Sequence, residues 1–297
     1  MAFDYTIVTD TSANLPAPLL GEHGVTVIPF TYNYEGAERT CFDTEAFEDG
    51  EGEAFYAKLK AGERVTTSQI TPQRYEEYLE PILKEGRDVL FISMSSGISN
   101  SYASSEVAAE QLRAKYPERK LRTVDTLAAS LGEGKLVLRA IEYRRAGLGL
   151  DENADRLLSD RMKLYQTVLL DDLMFLYRGG RVSVSKALLG TVLGIRPILK
   201  GDEDGHLVVC GKARGRKRGL GLLAEKYGEL ALKGPGHLVG IAYTDCPEDA
   251  FALRDTIKET DPHAEFMVVR YEPVTGSYVG PGTVALFFDA EDGVRAY

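Results

Sequence analysis

The chain has 297 residues, of which 44% are hydrophobic, and its formal net charge is −10. This length is typical of two domains with sizeable cores. The acidic balance argues against general affinity for nucleic acid or for anionic membranes. The first residues lack the pattern of a secretory signal, and no apolar run approaches the ~18 residues that suggest a membrane span. We therefore expect a cytoplasmic protein without integral membrane association.

Metal and cofactor motifs are missing from the sequence. Cys41, Cys210 and Cys246 are scattered and form no C-x-x-C pair, which argues against a disulfide framework or a metal site and suits a reducing compartment. No P-loop is present, and Gly132-Glu133-Gly134 is too short to be a dinucleotide fingerprint. We therefore expect neither a cofactor nor a metal.

In the first half of the chain, short β-branched runs alternate with longer helical patterns. Strands are predicted at Thr6–Val8, Val25–Phe30, Asp88–Ser93 and Leu121–Val124. Helices are predicted at Thr44–Lys60, Thr71–Lys84, Ser101–Tyr116 and Leu127–Ala146. Thr71 has the position of an N-cap before Pro72. The alternation predicts an N-terminal α/β domain over residues 1–160, with helices on both faces of a parallel sheet in three layers.

The second half mixes a hairpin with strand–helix units. Strands are predicted at Gln166–Leu170, Pro197–Leu199, His206–Cys210, Leu238–Tyr243 and Glu265–Arg270. Helices are predicted at Glu152–Met162, Leu188–Leu193, Arg216–Tyr227 and Glu248–Thr260. The turn Asp202–Gly205 joins the two strands of the hairpin. This mixture predicts a C-terminal α+β domain over residues 161–297.

Hydroxyl side chains are concentrated in three segments expected at the edge of the parallel sheet: Thr9–Asn14, Thr66–Gln69 and Ser93–Tyr102. Ligands of open α/β sheets bind at the carboxyl ends of the strands. Helix N-termini there offer unpaired N–H groups and a partial positive charge, so these segments suit a carboxylate or a phosphate. Serine, threonine and asparagine also cap helices without any ligand, and the pattern leaves both interpretations open.

A second chemistry is suggested by Gly97–Ser101, which resembles the G-x-S-x-G nucleophile elbow without its last glycine. A nucleophilic Ser99 needs a histidine base. The chain has four histidines, and none lies in a setting that suggests a catalytic triad: His23, His206, His237 and His263. A serine esterase acting through Ser99 remains an alternative.

Two further segments stand out in the second half. Lys212–Arg218 concentrates positive charge in an acidic chain, as either a solvated face or a docking surface for an acidic partner or a phosphate. Tyr278–Thr283 reads as a rigid turn because of its glycines and proline.

In their order along the chain, these segments resemble the DegV family. Val8–Leu15 is similar to V-T-D-S-x-x-D-L, Thr67–Gln69 to T-S-Q-P, Ser95–Tyr102 to S-S-G-L-S-G-T-Y, Asp125–Gly134 to D-S…S-x-G-x-G, Arg178–Ser183 to K-G-G-R-I-S, and Tyr278–Gly282 to H-T-G-P-G. Each motif is weak alone, but their order and spacing together are highly specific.

The resemblance implies a two-domain protein that binds a long-chain fatty acid in a hydrophobic tunnel and has no catalytic residues of its own. Some members of the family are the binding subunit of bacterial fatty acid kinase. They present the carboxylate to a separate kinase, which makes acyl phosphate from ATP. A regulatory module that docks a partner without lipid is the remaining alternative.

Motif matching carries the family's site onto this sequence. Thr67 and Ser99 would bond the carboxylate, with the backbone N–H of Asn100 beside it. Neighbouring ligand-binding positions are Ser68 and Ser96. In the second half, Tyr278 replaces the family's histidine, so its hydroxyl can donate but the side chain cannot be protonated near neutral pH. Arg181 would border the site, and Arg214 would lie where family members contact the kinase.

Overall fold

The computed structural model describes residues 5–41, 47–183 and 194–296. Their contacts form two units. The first combines Met1–Glu45 with Thr66–Arg161, and the second combines Ala46–Val65 with Met162–Tyr297. The change at Arg161 lies next to the boundary predicted at residue 160. The prediction made each domain continuous, whereas Ala46–Val65 groups with the second unit.

The elements are as follows in chain order. The strands are β1 Tyr5–Asp10, β2 Thr26–Ile28, β3 Thr31–Tyr34, β4 Ala37–Thr40, β5 Thr66–Ser68, β6 Asp88–Ser93, β7 Leu121–Asp125, β8 Leu164–Leu169, β9 Ile195–Gly201, β10 Leu207–Arg214, β11 Leu238–Tyr243, β12 Glu265–Arg270 and β13 Val284–Asp289. The α-helices are α1 Ala17–Glu22, α2 Gly52–Lys60, α3 Pro72–Lys84, α4 Ser101–Lys115, α5 Leu131–Arg145, α6 Leu150–Asp160, α7 Met174–Arg178, α8 Arg216–Leu230, α9 Pro247–Thr260 and α10 Pro273–Val279. Short 3-10 turns cover Thr11–Ala13, Arg161–Lys163 and Val294–Ala296, and Phe47–Glu51 forms a π-helical turn before α2.

The first unit contains the predicted parallel sheet, with strand order β2-β1-β6-β7. Every residue of β1 is buried, as is typical of a strand covered on both faces. Because all four strands run in one direction, Asp10, Ser93 and Asp125 end β1, β6 and β7 at the same edge. The α/β prediction for this unit is confirmed.

In this unit α3 and α4 begin where the sequence signals predict, whereas α5 begins at Leu131 instead of Leu127 and α1 was not predicted. The Thr71 hydroxyl accepts a hydrogen bond from the Arg74 N–H at 3.3 Å, and Pro72 opens α3, which confirms the predicted cap. In the first turn of α5, a Cβ atom on Gly134 would lie 2.5 Å from the carbonyl oxygen of Ala13. The glycine therefore allows α5 to approach the 3-10 turn that follows β1.

The prediction for one of the hydroxyl-rich segments of this unit is wrong. Thr66–Gln69 was expected to be a loop at the edge of the parallel sheet, but Thr66–Ser68 forms β5 in a separate antiparallel sheet of order β4-β3-β5. Thr67 pairs with Tyr32. In this sheet β3 buries Tyr32 and Tyr34 in alternation, whereas every residue of β4 is exposed and β5 has no buried residue. Pairing with β3, rather than an alternating pattern, defines β4 and β5.

The second unit is built on a mixed sheet of order β10-β9-β8-β13-β11-β12, in which only β11 and β12 are parallel. The predicted hairpin is present as β9 and β10. Helices α8 and α9 bury Leu223, Tyr227 and Leu253 in the core of this unit. The α+β prediction is confirmed.

Two details of this unit differ from the sequence prediction, and a third prediction is not tested. No strand was predicted at Val284–Asp289, yet β13 lies between β8 and β11. The predicted turn at Tyr278–Thr283 begins later, because Tyr278 lies in α10 and Gly280 follows that helix. The predicted helix at Leu188–Leu193 lies outside the described residues.

Candidate functional site

The three hydroxyl segments are joined by hydrogen bonds within the first unit. The Asp10 carboxylate accepts from the Ser12 N–H at 2.9 Å and from the Met94 N–H at 3.2 Å. From the other side, the Gln69 amide donates to the Ser104 hydroxyl at 3.2 Å and the Ile70 N–H donates to the Ser101 hydroxyl at 3.3 Å. The predicted segments after β1, β5 and β6 therefore lie close together.

The loop after β6 presents Ser99 at the start of α4. The Ser101 N–H donates to the Ser99 hydroxyl oxygen at 3.2 Å, and the two hydroxyl oxygens lie 2.9 Å apart. Ser99 thus bonds the first turn of this 15-residue helix, while the side chain of Asn100 makes no capping bond. The loop keeps Ser99 partly exposed and Asn100 exposed, beside backbone N–H groups that a helix N-terminus leaves without intrahelical partners.

Ser96 in the same loop is bound to an acid. Its hydroxyl donates to Asp125 Oδ2 at 2.6 Å and its N–H donates to Asp125 Oδ1 at 3.1 Å. The Leu127 N–H donates to the same carboxylate. Asp125 therefore connects the loop after β6 to the loop after β7. Because the Ser96 hydroxyl already donates its proton to Asp125, this hydroxyl would have to leave Asp125 to donate to a ligand carboxylate.

A buried acid lies below these loops. Glu133, in the first turn of α5, has no solvent exposure, and its Oε1 accepts from the Thr9 hydroxyl at 2.8 Å. Its Oε2 makes no hydrogen bond within the described residues. Burial, followed by the nearby Asp10 carboxylate, holds the pKa of Glu133 well above its ordinary value. Burial and the same two acids raise the pKa of Tyr75. Burial and the Asp10 carboxylate therefore favour the protonated form of Glu133 in the folded chain.

The second unit packs the predicted residue Tyr278 tightly. The Arg181 guanidinium lies over the Tyr278 ring, 4.5 Å from its centroid. Arg181 also donates a hydrogen bond to the Gly179 carbonyl. A Cβ atom on Gly179 would lie 2.4 Å from the Tyr278 ring, so only glycine fits there. Gly179 therefore serves close packing against Tyr278, whereas Gly180 has open space around it and a φ of +72°.

The basic run divides into two kinds of residue. Arg214, Lys217 and Arg218 are exposed, and Arg218 pairs with Glu225. Arg216 instead points inward and bonds Asp171 and Asp249. The prediction from sequence described this run as one charged surface, because charge alone does not indicate which side chain points toward the core.

Some important residues of these sites were not predicted. Glu133 was noted only as part of a glycine-rich segment, although an acid between two glycines that begin a helix is an unusual signal. The roles of Asp125, Tyr75 and Arg216 depend on partners far away in the sequence. No local pattern identifies those partners.

Nothing in this geometry supports a nucleophilic Ser99. Its hydroxyl bonds Ser101 in the described structure, and two of the four histidines lie beside acids: His206 is 3.7 Å from Asp202, and His237 is 3.9 Å from Asp289. Over residues 5–41, 47–183 and 194–296, no group of three or more His, Cys, Asp or Glu side chains is arranged to hold a metal ion. In the same ranges, no helix is long and apolar enough to cross a membrane.

Comparisons with known proteins agree with the predicted resemblance. A sequence profile described as "Uncharacterised protein, DegV family" matches residues 4–291. A DegV domain-containing protein of Clostridium perfringens is 34% identical over 288 residues, which cover 96% of this chain and 97% of that protein. One from Streptococcus pyogenes is 31% identical over 284 residues, covering 95% and 97%.

Solved structures give the same family. A DegV family protein from Thermus thermophilus, whose structure is described by its fatty acid binding, is 29% identical with a TM-score of 0.85 and covers 97% of this chain and 100% of its own. A fatty acid binding DegV family protein from Streptococcus agalactiae is 26% identical with a TM-score of 0.81, covering 98% and 100%. The sequence profile, the relatives and the structures agree, and the chain belongs to the DegV family.

Proposed function

We propose that this chain binds a long-chain fatty acid in a hydrophobic tunnel and holds its carboxylate with Thr67, Ser99 and the N–H of Asn100. The observation that carries the proposal is the joining of the β5 end to the first turn of α4, through Ile70–Ser101 and Gln69–Ser104. This connection supports the proposal, because an anion is favoured at a helix N-terminus. The fatty acid binding described for the T. thermophilus and S. agalactiae relatives supports the choice of anion.

Burial of the chain would supply the affinity, and the polar loops would orient the head group. Removing ~16 carbons from water contributes roughly 10 kcal/mol before ordering costs. Neutral hydroxyl and N–H donors then suffice for the carboxylate, and no metal is required. In the second unit we propose Tyr278 as a further head-group donor and Arg181 as the cation beside it. The protein would carry and present the lipid, in the cytoplasm, without catalysing a reaction itself.

The test is native mass spectrometry of the purified chain before and after delipidation, followed by palmitate titration. We expect a bound long-chain acid and reversible uptake of palmitate. Thr67→Ala and Ser99→Ala should each weaken palmitate binding by about tenfold, since a hydrogen bond to a charged group is worth ~1.5 kcal/mol or more. Ser159→Ala is the matched control, because Ser159 is exposed in α6 of the same unit.

Contrary results are easily recognised. A chain that carries no acid and takes up no palmitate does not have the proposed function. Binding that survives both the Thr67 and Ser99 substitutions would keep the lipid but remove these head-group contacts.

We further propose that Arg214, exposed at the end of β10, docks a fatty acid kinase that converts the bound acid to acyl phosphate. The expected partner surface is acidic, because three exposed basic side chains lie together here. Arg214→Glu should abolish palmitate-dependent ATP consumption with a kinase subunit from the same organism, without changing palmitate affinity. If Arg214→Glu supports the same rate as the parent chain, this surface is not the docking site.

A further inference from the structure

Arg216 is the one member of the Arg214–Arg218 triad of arginines whose side chain is largely covered. Its side chain is 20% exposed, whereas that of Arg218 is 57% exposed. The guanidinium group donates to Asp249 Oδ2 at 2.6 Å, to Asp171 Oδ1 at 2.8 Å and to the Cys246 sulfur at 3.0 Å. All three partners are in the second unit. A side chain that uses its donors in this way has a structural or positioning task rather than a docking task.

A fourth acceptor of Arg216 is the backbone carbonyl of Gly282. Gly282 belongs to the tight turn Gly280–Gly282 that follows α10, and both glycines have positive φ angles, +79° and +74°. A Cβ atom on Gly282 would lie 2.4 Å from the Asp171 side chain. Arg216 therefore holds Asp171 and the turn against each other. At this contact, Gly282 has no room for a side chain.

The two elements that Arg216 joins are the two that flank Tyr278. On one side, the Gly280–Gly282 turn begins two residues after Tyr278 and directly follows α10, the helix that contains Tyr278. On the other side, Asp171 leads into α7, which is followed by Gly179 and Arg181, the residues that contact the Tyr278 ring. The position of the Tyr278 ring is therefore set by two backbone segments that the Arg216 guanidinium holds together.

Only arginine fits this arrangement. Its planar group presents several N–H donors in fixed directions, whereas lysine carries one compact charge on a flexible stem. The acceptors of Arg216 comprise two carboxylates, a carbonyl and a sulfur that lie in different directions. Burial raises the pKa of Cys246 to about 12, so its thiol stays protonated and donates to the Thr283 carbonyl at 3.4 Å. Cys246 thus also ties the end of the turn to Arg216.

From this geometry we infer that Arg216 is a positioning residue that sets the Tyr278 hydroxyl for the ligand carboxylate. The inference rests on the proposed function, since it assumes that Tyr278 contacts the head group. By this inference, Arg216 contributes to the preference for a ligand that carries a carboxylate head group. The exposed neighbours Arg214, Lys217 and Arg218 have no part in that selection.

The experiment compares binding of palmitate with binding of hexadecanol, which has the same number of carbons but no carboxylate. Each ligand displaces a fluorescent fatty acid from the full chain. For Tyr278→Phe, the preference for palmitate over hexadecanol should fall by about threefold to tenfold, the value of one hydrogen bond. Arg216→Lys should lower the preference by a similar factor while hexadecanol affinity stays the same. Arg218→Lys is the matched control and should leave both affinities unchanged.

Asp171→Asn is a second variant that keeps the side-chain shape and weakens the ion pairs of Asp171 with Arg216 and with Arg196. It should lower the preference in the same direction as Arg216→Lys, and it serves in place of that variant if Arg216→Lys does not fold. Equal losses of palmitate and hexadecanol affinity, or an unchanged preference in a destabilised protein, would show that Arg216 only supports the fold. An unchanged preference in Tyr278→Phe also overturns the inference, whereas loss of all palmitate binding by the parent chain would overturn the proposed function.

Discussion

The loops at the carboxyl edge of the parallel sheet and the segments around Tyr278 both supply predicted head-group residues, but opposite charges organise them. In the first unit the donors are oriented by acids, since Asp10 accepts from Ser12 and Met94 while Asp125 accepts from Ser96. In the second unit the guanidinium of Arg181 lies over Tyr278, and that of Arg216 fixes the following turn.

This difference has a consequence for an anionic ligand. Two carboxylates already lie among the loops of the first unit, so a third negative charge there is disfavoured unless nearby acids are neutral. The raised pKa of Glu133 favours its protonated form, which does not add a further negative charge below the loops. The hydroxyl groups of the first unit therefore offer uncharged hydrogen bonds, and a cation beside them is Arg161, which donates to the Asp125 carbonyl at 2.6 Å.

The largest expected effect concerns the turn after α10. Gly280→Ala should destabilise the fold by about 2–4 kcal/mol, because a left-handed alanine costs ~1–2 kcal/mol and overpacking adds more. The new Cβ would lie 2.5 Å from the Phe175 ring. Gly293 has a similar φ of +84° with open space around it, so Gly293→Ala should cost only about 1 kcal/mol. Urea unfolding measures both variants, and equal losses would mean that Phe175 moves aside at no cost.

The next effect concerns the buried acid of the first unit. A raised pKa means that folding favours protonated Glu133, so its contribution to stability is full below its ordinary pKa of 4.5 and is lost as the pH rises toward the folded value. Glu133→Gln keeps the shape of the side chain and removes this loss of stability at higher pH. The variant should be more stable than the parent by about 1 kcal/mol or more at pH ~7, and nearly equal to it at pH ~4.

Urea unfolding of Glu133→Gln at both pH values provides this measurement. Glu110→Gln is the control, because Glu110 is exposed on α4 and should show no such pH dependence. A gain of the same size at both pH values would mean that folding does not shift the pKa of Glu133, and that burial does not favour its protonated form.

Some elements of the fold follow from local sequence signals, and others do not. The central strands β1 and β6 and the cap of α3 follow from local signals, namely β-branched runs and a Thr-Pro pair. The strand β5 does not, because three polar residues form a strand only through pairing with β3. The position of β13 between β8 and β11 likewise depends on pairing with strands that are distant in the sequence, although Val284–Asp289 is rich in strand-forming residues.

The candidate site shows the same limit. Ser99 and Thr67 could be named from motifs, because their segments are short and continuous. The acid that binds Ser96 is 29 residues away, and the carbonyl that binds Arg216 is 66 residues away. Hydroxyls and charges in a sequence indicate possible donors, but only the fold determines which protein groups use them.

The smallest expected effect separates two serines of one loop. Ser96 and Ser99 are both predicted to bind the ligand, but the Ser96 hydroxyl donates to Asp125 whereas the Ser99 hydroxyl bonds only Ser101 in the described structure. Ser96→Ala removes a bond within the protein and should cost about 1 kcal/mol of stability. Its palmitate affinity should change by less than about twofold, against about tenfold for Ser99→Ala. Titration of both variants with palmitate decides the matter: equal losses would place Ser96 at the head group and would require Asp125 to release it when the ligand binds.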